Sequence, residues 1–520
     1  MPGLDASVLK SLDPTLALGR INTDIQTDFI VAPHYSAIYA HVGEELWDEV
    51  MRSLRSGTYE PVLPITIDIP KKTGLTRPGS ILNPFDRVVY QALIDSIAPT
   101  AESQLDRSRV FSNVLLNTDP EFQMFEATSV SYPRFKNNIQ KYCKDKKWTH
   151  AIRTDIANFF ERLYQHNLIN LLYSAGCSPP AVSLLERVLL AWMEKDSHGI
   201  LQGMFPSDFL GNFYLCSVDS YFVDKGLLCA RFVDDFYLFY PSLYSARVGL
   251  VDLCRTLRNE GLHLNESKSG IFQTSSLLRE ETELDLLFAD AREEVQGSMP
   301  MTETYGFQTF WKSEDEEATE DDVELQAVLT LYGRIQSSTE TQADKIERFC
   351  LPILAATGSD IAIDRCLDGL SERPHLTQSY CSYLVTLIPS NPDIAKNLES
   401  LLKRDYLFHD WQLMWLLAAL IKAPSVLPTM VSAAFRLLRD PRRSVALRAV
   451  CAMLIGKHGA PGQRRNLRNH YSEEPSPYVR EAILFSARYF PTPERKTCLS
   501  GWRGHSSINL LIAKAVAVLC

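Results

Sequence analysis

Three aspartates stand where they could do chemistry. Asp155 closes a short apolar run in "IRTDIANFF", and Asp234 and Asp235 sit side by side in "ARFVDDFYLFY", residues 230–240. Two carboxylates set against apolar walls are costly unless a cation or a protonation shift relieves their repulsion. If the strands that carry these residues are neighbours, all three carboxylates converge. Each raises its neighbours' pKa, so the set is a poor acid–base device. It is a good cage for hard divalent cations, which take oxygen ligands. Two Mg²⁺ ions roughly 3.5–4 Å apart, with Mn²⁺ as a substitute, can activate an attacking hydroxyl and stabilise leaving phosphate oxygens. Nucleotidyl transfer needs that arrangement.

Other motifs flank the aspartates in order. "IPKKTGLTR" (69–77) gathers Lys71, Lys72 and Arg77 around a Gly turn, and cations on a flexible hairpin suit a triphosphate. "GILQGMFPSDFLGNFYL" (199–215) offers Gln202 and Gly203, then Ser207 and Asn212 opening a helix. "GLHLNESKSGIF" (261–272) brings Lys268 after Leu-Asn.

The elements that must position these residues are mixed. Residues 61–84 alternate and then turn, predicting a β-hairpin, and 85–99 have helical spacing. Residues 150–173 predict a strand running into a helix, 207–224 a helix, and 227–240 two strands joined at the Asp pair. From about 325 onward helical spacing takes over, broken by "PSNPD", "DPRRS", "EEPSP" and "PTPE". "SVALRAVCAMLIGKHG" and "SPYVREAILFSARYF" look like two copies of one helix, with Arg448 and Arg480 32 residues apart. That period suits stacked helix pairs of the HEAT or armadillo kind. The expected fold class is α+β, with domains at 1–275, an acidic linker or insertion at 276–324, and a helical repeat domain at 325–520.

Composition bounds the partners. The chain has 520 residues, 45% hydrophobic and 22% charged, which suits a globular protein of more than one domain. No basic-then-apolar leader opens it, and the run "LMWLLAALI" is too short to span a bilayer, so no membrane partner is expected. Eleven scattered cysteines without a CxxC fit reduced thiols in a cytoplasm and show no zinc site. The net charge of −10 hides an uneven distribution: residues 281–330 carry 15 acidic and 2 basic side chains, residues 401–520 carry 18 basic and 7 acidic. A basic module follows an acidic segment.

The motifs "IPKKTG..R", "DIANFF", "QGMFPS..LGN", "FVDD" and "LNESK", in this order over about residues 55–275, resemble the reverse transcriptase family. The resemblance implies a fingers-and-palm polymerase fold. It implies that Asp155, Asp234 and Asp235, helped by the Ile156 carbonyl, bind two metal ions. Lys71 or Lys72 and Arg77 would hold the triphosphate, and Gln202 and Gly203 would support the incoming nucleotide and the template-side base. Phe160 falls where the family places a steric gate against the ribose 2′-OH, and Lys268 would assist pyrophosphate departure. Leu201 where the family usually has Pro, and Phe232 where it often has Tyr, suggest a divergent branch. The chain shows no ribonuclease H-like carboxylate set, His-rich endonuclease motif or zinc finger, which argues against a viral or mobile-intron enzyme.

A polymerase of this kind fused to a HEAT-like half resembles bacterial abortive-infection and defence-associated reverse transcriptases. That implies a homo-oligomer in anti-phage defence, using deoxynucleoside triphosphates and making single-stranded DNA by protein-primed, untemplated synthesis. The basic segments "DPRRSVALR" and "GQRRNLRNH" would follow product phosphates. Tyr35 and Tyr39, which lack an obvious core pattern, are the candidate priming tyrosines. Two other readings stay open: an enzyme copying an associated non-coding RNA, and a helical-repeat interaction protein with an inactive polymerase half.

Overall fold

The protein is described from a computed structural model covering residues 6–117, 119–194, 196–279, 328–329, 331–403 and 409–520. The expected linker lies outside these residues from position 280 onward. The chain divides into two compact units that interleave along the sequence. One comprises residues 1–23, 51–63 and 88–303; the other comprises 24–50, 64–87 and 304–520. The cationic hairpin belongs to the same unit as the C-terminal helices.

The first unit is built on a four-stranded antiparallel sheet. Its strands are β3 (His150–Thr154), β4 (Leu228–Phe232), β5 (Asp235–Tyr240) and β6 (Gly270–Gln273), in spatial order β4-β5-β3-β6. Helix Thr128–Lys144 buries Phe135, Ile139 and Cys143 against Ala151, Tyr237 and Phe239, an apolar layer on one face of the sheet. The basic stretch 134–148 thus keeps its aromatic face for the core. The single helix expected over 207–224 is two, Phe205–Tyr214 and Cys216–Asp224, separated at Leu215.

The second unit holds the hairpin β1 (Ile65–Pro70) and β2 (Thr76–Ile81), paired antiparallel. Trp411 Nε1 donates to the Phe29 carbonyl at 2.8 Å, and Lys72 Nζ lies 2.9 Å from Asp344 Oδ2. Among the described residues everything beyond 340 is helical or connecting. Helices Glu340–Ala356, Thr377–Leu387, Asp410–Lys422, Val445–His458, Pro477–Ser486 and Ser507–Leu519 pack one on the next as an inner row. The other helices alternate with them along the chain. The inner helix Asp410–Lys422 is apolar nearly all round, as burial on all sides requires: residues 411–421 are all buried. Ser444 and Ser476, 32 residues apart, each cap an inner helix, accepting from the backbone N–H of Leu447 and Val479. No described helix is long and apolar enough to cross a membrane.

Candidate active site

The register of the sheet gathers the aspartates. Thr154 of β3 lies opposite Phe236 of β5, so Asp155 leaves β3 beside Asp235. Phe232 pairs with Asp235 across the hairpin, leaving Val233 and Asp234 as its two-residue turn. Val233 sits at φ +54°. A positive φ at the first turn residue alone normally takes Gly, and a β-branched residue there costs on the order of 1–3 kcal/mol.

Asp155 is buried, and its Oδ2 accepts from Asn265 Nδ2 at 2.9 Å and lies 3.2 Å from Lys268 Nζ. The Asn265 N–H also donates to the Asp155 carbonyl at 2.8 Å, locking the end of β3 to the "LNESK" loop. Burial, then the charges of Asp155 and Asp235, push the Asp234 carboxyl up to about 7. Burial works against the Lys268 charge, but Asp155, Asp235 and Asp234 together hold its pKa above the ordinary value. Ile156 follows Asp155, buried and bridged to Leu264. An all-oxygen donor set whose mutual repulsion calls for positive charge fits hard divalent cations. As the side chains stand, no group of three or more His, Cys, Asp or Glu among the described residues is drawn together tightly enough to hold an ion. The Lys268 ammonium supplies local positive charge instead.

Phe160 and the Gln-Gly segment meet. The Ile200 N–H donates to the Phe160 carbonyl at 2.9 Å, which brings Gln202 and Gly203, both half-buried, next to the Phe160 turn. Gly203 has φ +88° immediately before helix Phe205–Tyr214. A Cβ on Gly211 would fall 2.8 Å from Phe160 Cε1, so this glycine leaves the ring its place. Ser207 lies in the first turn of that helix and bonds Tyr90 at 2.9 Å; Asn212 lies near its end, not its start.

Lys71, Lys72 and Arg77 belong to the other unit. Lys72 is engaged by Asp344 at 2.9 Å and Glu340 at 3.8 Å, and the Arg77 guanidinium sits 4.7 Å over the Phe29 ring. Tyr35 and Tyr39 do have a core pattern: with Ile38, Val42 and Leu46 they form the buried face of helix Pro33–Ser56. The Tyr35 hydroxyl donates to Glu481 Oε2 at 2.9 Å, and burial raises both phenols above their ordinary range. Arg448 is likewise buried and paired with Glu474 at 2.5 Å, not open to phosphates.

In the sequence Asn265 stands out only as part of "LNESK", and no local pattern marks Ser112 or Asp219. Arg231 lies three residues before Asp234, so an arginine inside an apolar strand was the available signal; its partners come from distant segments.

The family model for reverse transcriptase (RNA-dependent DNA polymerase) matches residues 69–294. No curated protein matches the chain. Among solved structures, apo telomerase from Candida tropicalis is 12% identical, with 91% of this chain and 74% of that chain covered and a TM-score of 0.33. The same telomerase with a TWJ fragment of telomeric RNA is 11% identical, with 72% and 65% covered and a TM-score of 0.32. This chain therefore spans about two thirds of the length of that relative. Superpositions this loose leave the assignment with the sequence match.

Proposed function

We propose, from the match of residues 69–294 to the reverse transcriptase family model, that the chain is a nucleotidyltransferase of the RNA-directed DNA polymerase type, a metal-dependent DNA polymerase whose catalytic residues are Asp155, Asp234 and Asp235. The carrying observation is the sheet register, with one aspartate at the end of β3 and two at the head of β5. Bound divalent ions, Mg²⁺ with Mn²⁺ as substitute, would supply Lewis-acid activation of the attacking hydroxyl and of the leaving phosphate. Asp155, Asp234, Asp235 and the Ile156 carbonyl would hold them. Asn265 fixes the orientation of Asp155. Lys268, within reach of all three charges, would donate a proton or positive charge to departing pyrophosphate. Phe160 would exclude a ribose 2′-OH, with Gln202 and Gly203 beside it supporting the nucleotide. Lys71 or Lys72, with Arg77, would supply charge for the triphosphate.

The finer reading is a bacterial enzyme of anti-phage defence, cytoplasmic and homo-oligomeric, making DNA that is protein-primed and untemplated. Its support is the long helical region joined to a polymerase, with inner helices capped at a 32-residue interval in the manner of HEAT-like repeats. Priming on Tyr35 or Tyr39 would need their core to open. Tyr173 and Tyr244 are exposed and join the candidates. The second reading, copying of an associated RNA, is favoured by the match to an RNA-dependent family.

One experiment separates these readings. The purified protein is given Mg²⁺ and each labelled deoxynucleotide without nucleic acid, then treated with nuclease or protease before electrophoresis. Label that migrates with the protein and is released by nuclease supports protein-primed, untemplated synthesis. Incorporation only with a co-purified or added RNA supports the templated reading. No incorporation under either condition removes the polymerase proposal.

A further inference from the structure

Val233 is held from both sides. Its N–H donates to Ser112 Oγ at 2.7 Å, and its carbonyl accepts from Arg231 Nη1 at 2.9 Å. Both partners are fully buried. Arg231 spends its remaining donors on two fixed groups. Nε and Nη2 reach the Asp219 carboxylate at 3.0 and 2.5 Å, while Nη1 and Nη2 reach the side chain and carbonyl of Asn212 at 2.8 and 3.2 Å. Ser112 Oγ donates to Asn212 Oδ1 at 3.1 Å, and Asn212 Nδ2 returns a bond to the Ser112 carbonyl at 3.0 Å. The backbone of Arg231 is tied as well: its N–H donates to Arg109 at 2.8 Å and its carbonyl accepts from Phe111 at 3.0 Å.

A charge pair with Asp219 would satisfy a buried arginine's need for an anion. It would not require a hydroxyl from a separate segment to hold the N–H on the other side of the same residue. That residue is the one non-glycine turn residue next to the paired aspartates with a positive φ. A β-branched residue left to itself leaves that conformation. A change there would re-aim Asp234 and Asp235 together, because they are the next two residues. We propose that Arg231 and Ser112, braced by Asn212 and Asp219, are positioning residues that hold Val233 left-handed and thereby set the two aspartates for metal. The proposal rests on the reading of Asp155, Asp234 and Asp235 as the metal ligands.

The test is Mn²⁺ binding to the full chain without nucleotide, followed by electron paramagnetic resonance, with thermal unfolding as the control for folding. Ser112→Ala should weaken Mn²⁺ binding about tenfold or more, the range seen when groups supporting metal ligands are removed, while the unfolding midpoint stays near that of the parent. Adding Val233→Gly should restore much of the affinity, because Gly adopts the positive φ without a clamp. Arg231→Lys, which keeps a cation for Asp219 but cannot reach every partner, is the second variant and should weaken binding similarly. If Ser112→Ala and Arg231→Lys bind Mn²⁺ as tightly as the parent while Asp234→Asn loses it, the clamp is overturned and the metal reading stands. If Asp234→Asn also leaves Mn²⁺ binding unchanged, the metal reading falls and takes the clamp with it.

Discussion

The Lys268 ammonium lies 3.2 Å from the Asp155 oxygen that also accepts the Asn265 amide at 2.9 Å. The lysine side chain is more than half exposed, so the pair adds at most about 1 kcal/mol to stability. Its effect is local: one cation among three carboxylates, competing with any metal for Asp155. Lys268→Met should therefore tighten Mn²⁺ binding and yet slow single-turnover incorporation about tenfold or more. A variant unchanged in both respects would mean that Lys268 is an ordinary surface lysine.

Asp234→Asn and Asp235→Asn should each cut nucleotide incorporation by about 10³-fold or more, as expected when metal-held charge stabilisation is lost. The unfolding midpoint in chelator should stay the same or rise, because one of three repelling carboxylates is gone. Incorporation at the parent rate by either variant would sink the assignment.

Phe160→Ala should admit ribonucleotides, measured as the ratio of deoxy- to ribonucleotide incorporation. Gly211→Ala tests the same ring from behind, since its Cβ would stand 2.8 Å from Phe160 Cε1. The displaced ring should change the ratio without contact between Gly211 and any nucleotide. Unchanged ratios in both variants would place the sugar gate elsewhere.

Glu481 gives a pH signature in the other unit. Burial pushes its carboxyl up to about 7 against the favourable Tyr35 and Arg480, with His34 and Tyr478 packed around Tyr35. A carboxyl raised on folding contributes stability that is complete below its unfolded value and lost as pH rises through the folded one. His34, pushed down to about 3 by burial, has the opposite slope: its contribution is present above the unfolded value near 6.5 and lost as pH falls. Glu481→Gln should thus gain stability over the parent as pH rises from about 4.5 to 7, by up to roughly 1.4 kcal/mol per pH unit. Denaturant unfolding at pH 5, 6, 7 and 8 checks it. A stability difference independent of pH would contradict the burial of a protonatable Glu481.

Much of the site was legible because its chemistry is local. "FVDD" combines two strands with a two-residue turn, and strand, turn and carboxylates all announce themselves within eleven residues. The Asp155 strand and the Gln-Gly helix are equally short-range. The core role of Tyr35 and Tyr39 was legible in principle from the helical spacing of Ile38, Val42 and Leu46, but the proline and histidine that open that helix obscure it. β6 was missed because "GIFQ" is four residues long and gains its identity only from pairing with β3.

The sequence by itself determined the residue types that could hold divalent metal, their order along the chain, and the helical periodicity of the C-terminal part, since period and composition are properties of short windows. Only the tertiary structure decided that Arg231 reaches the Val233 carbonyl while Ser112 takes its N–H, that Lys72 is committed to Asp344, and that Tyr35 is tied to Glu481, 446 residues away. Those pairings are made by packing between distant segments, where burial sets the cost of every unpaired donor, and no local pattern encodes which partner will meet it.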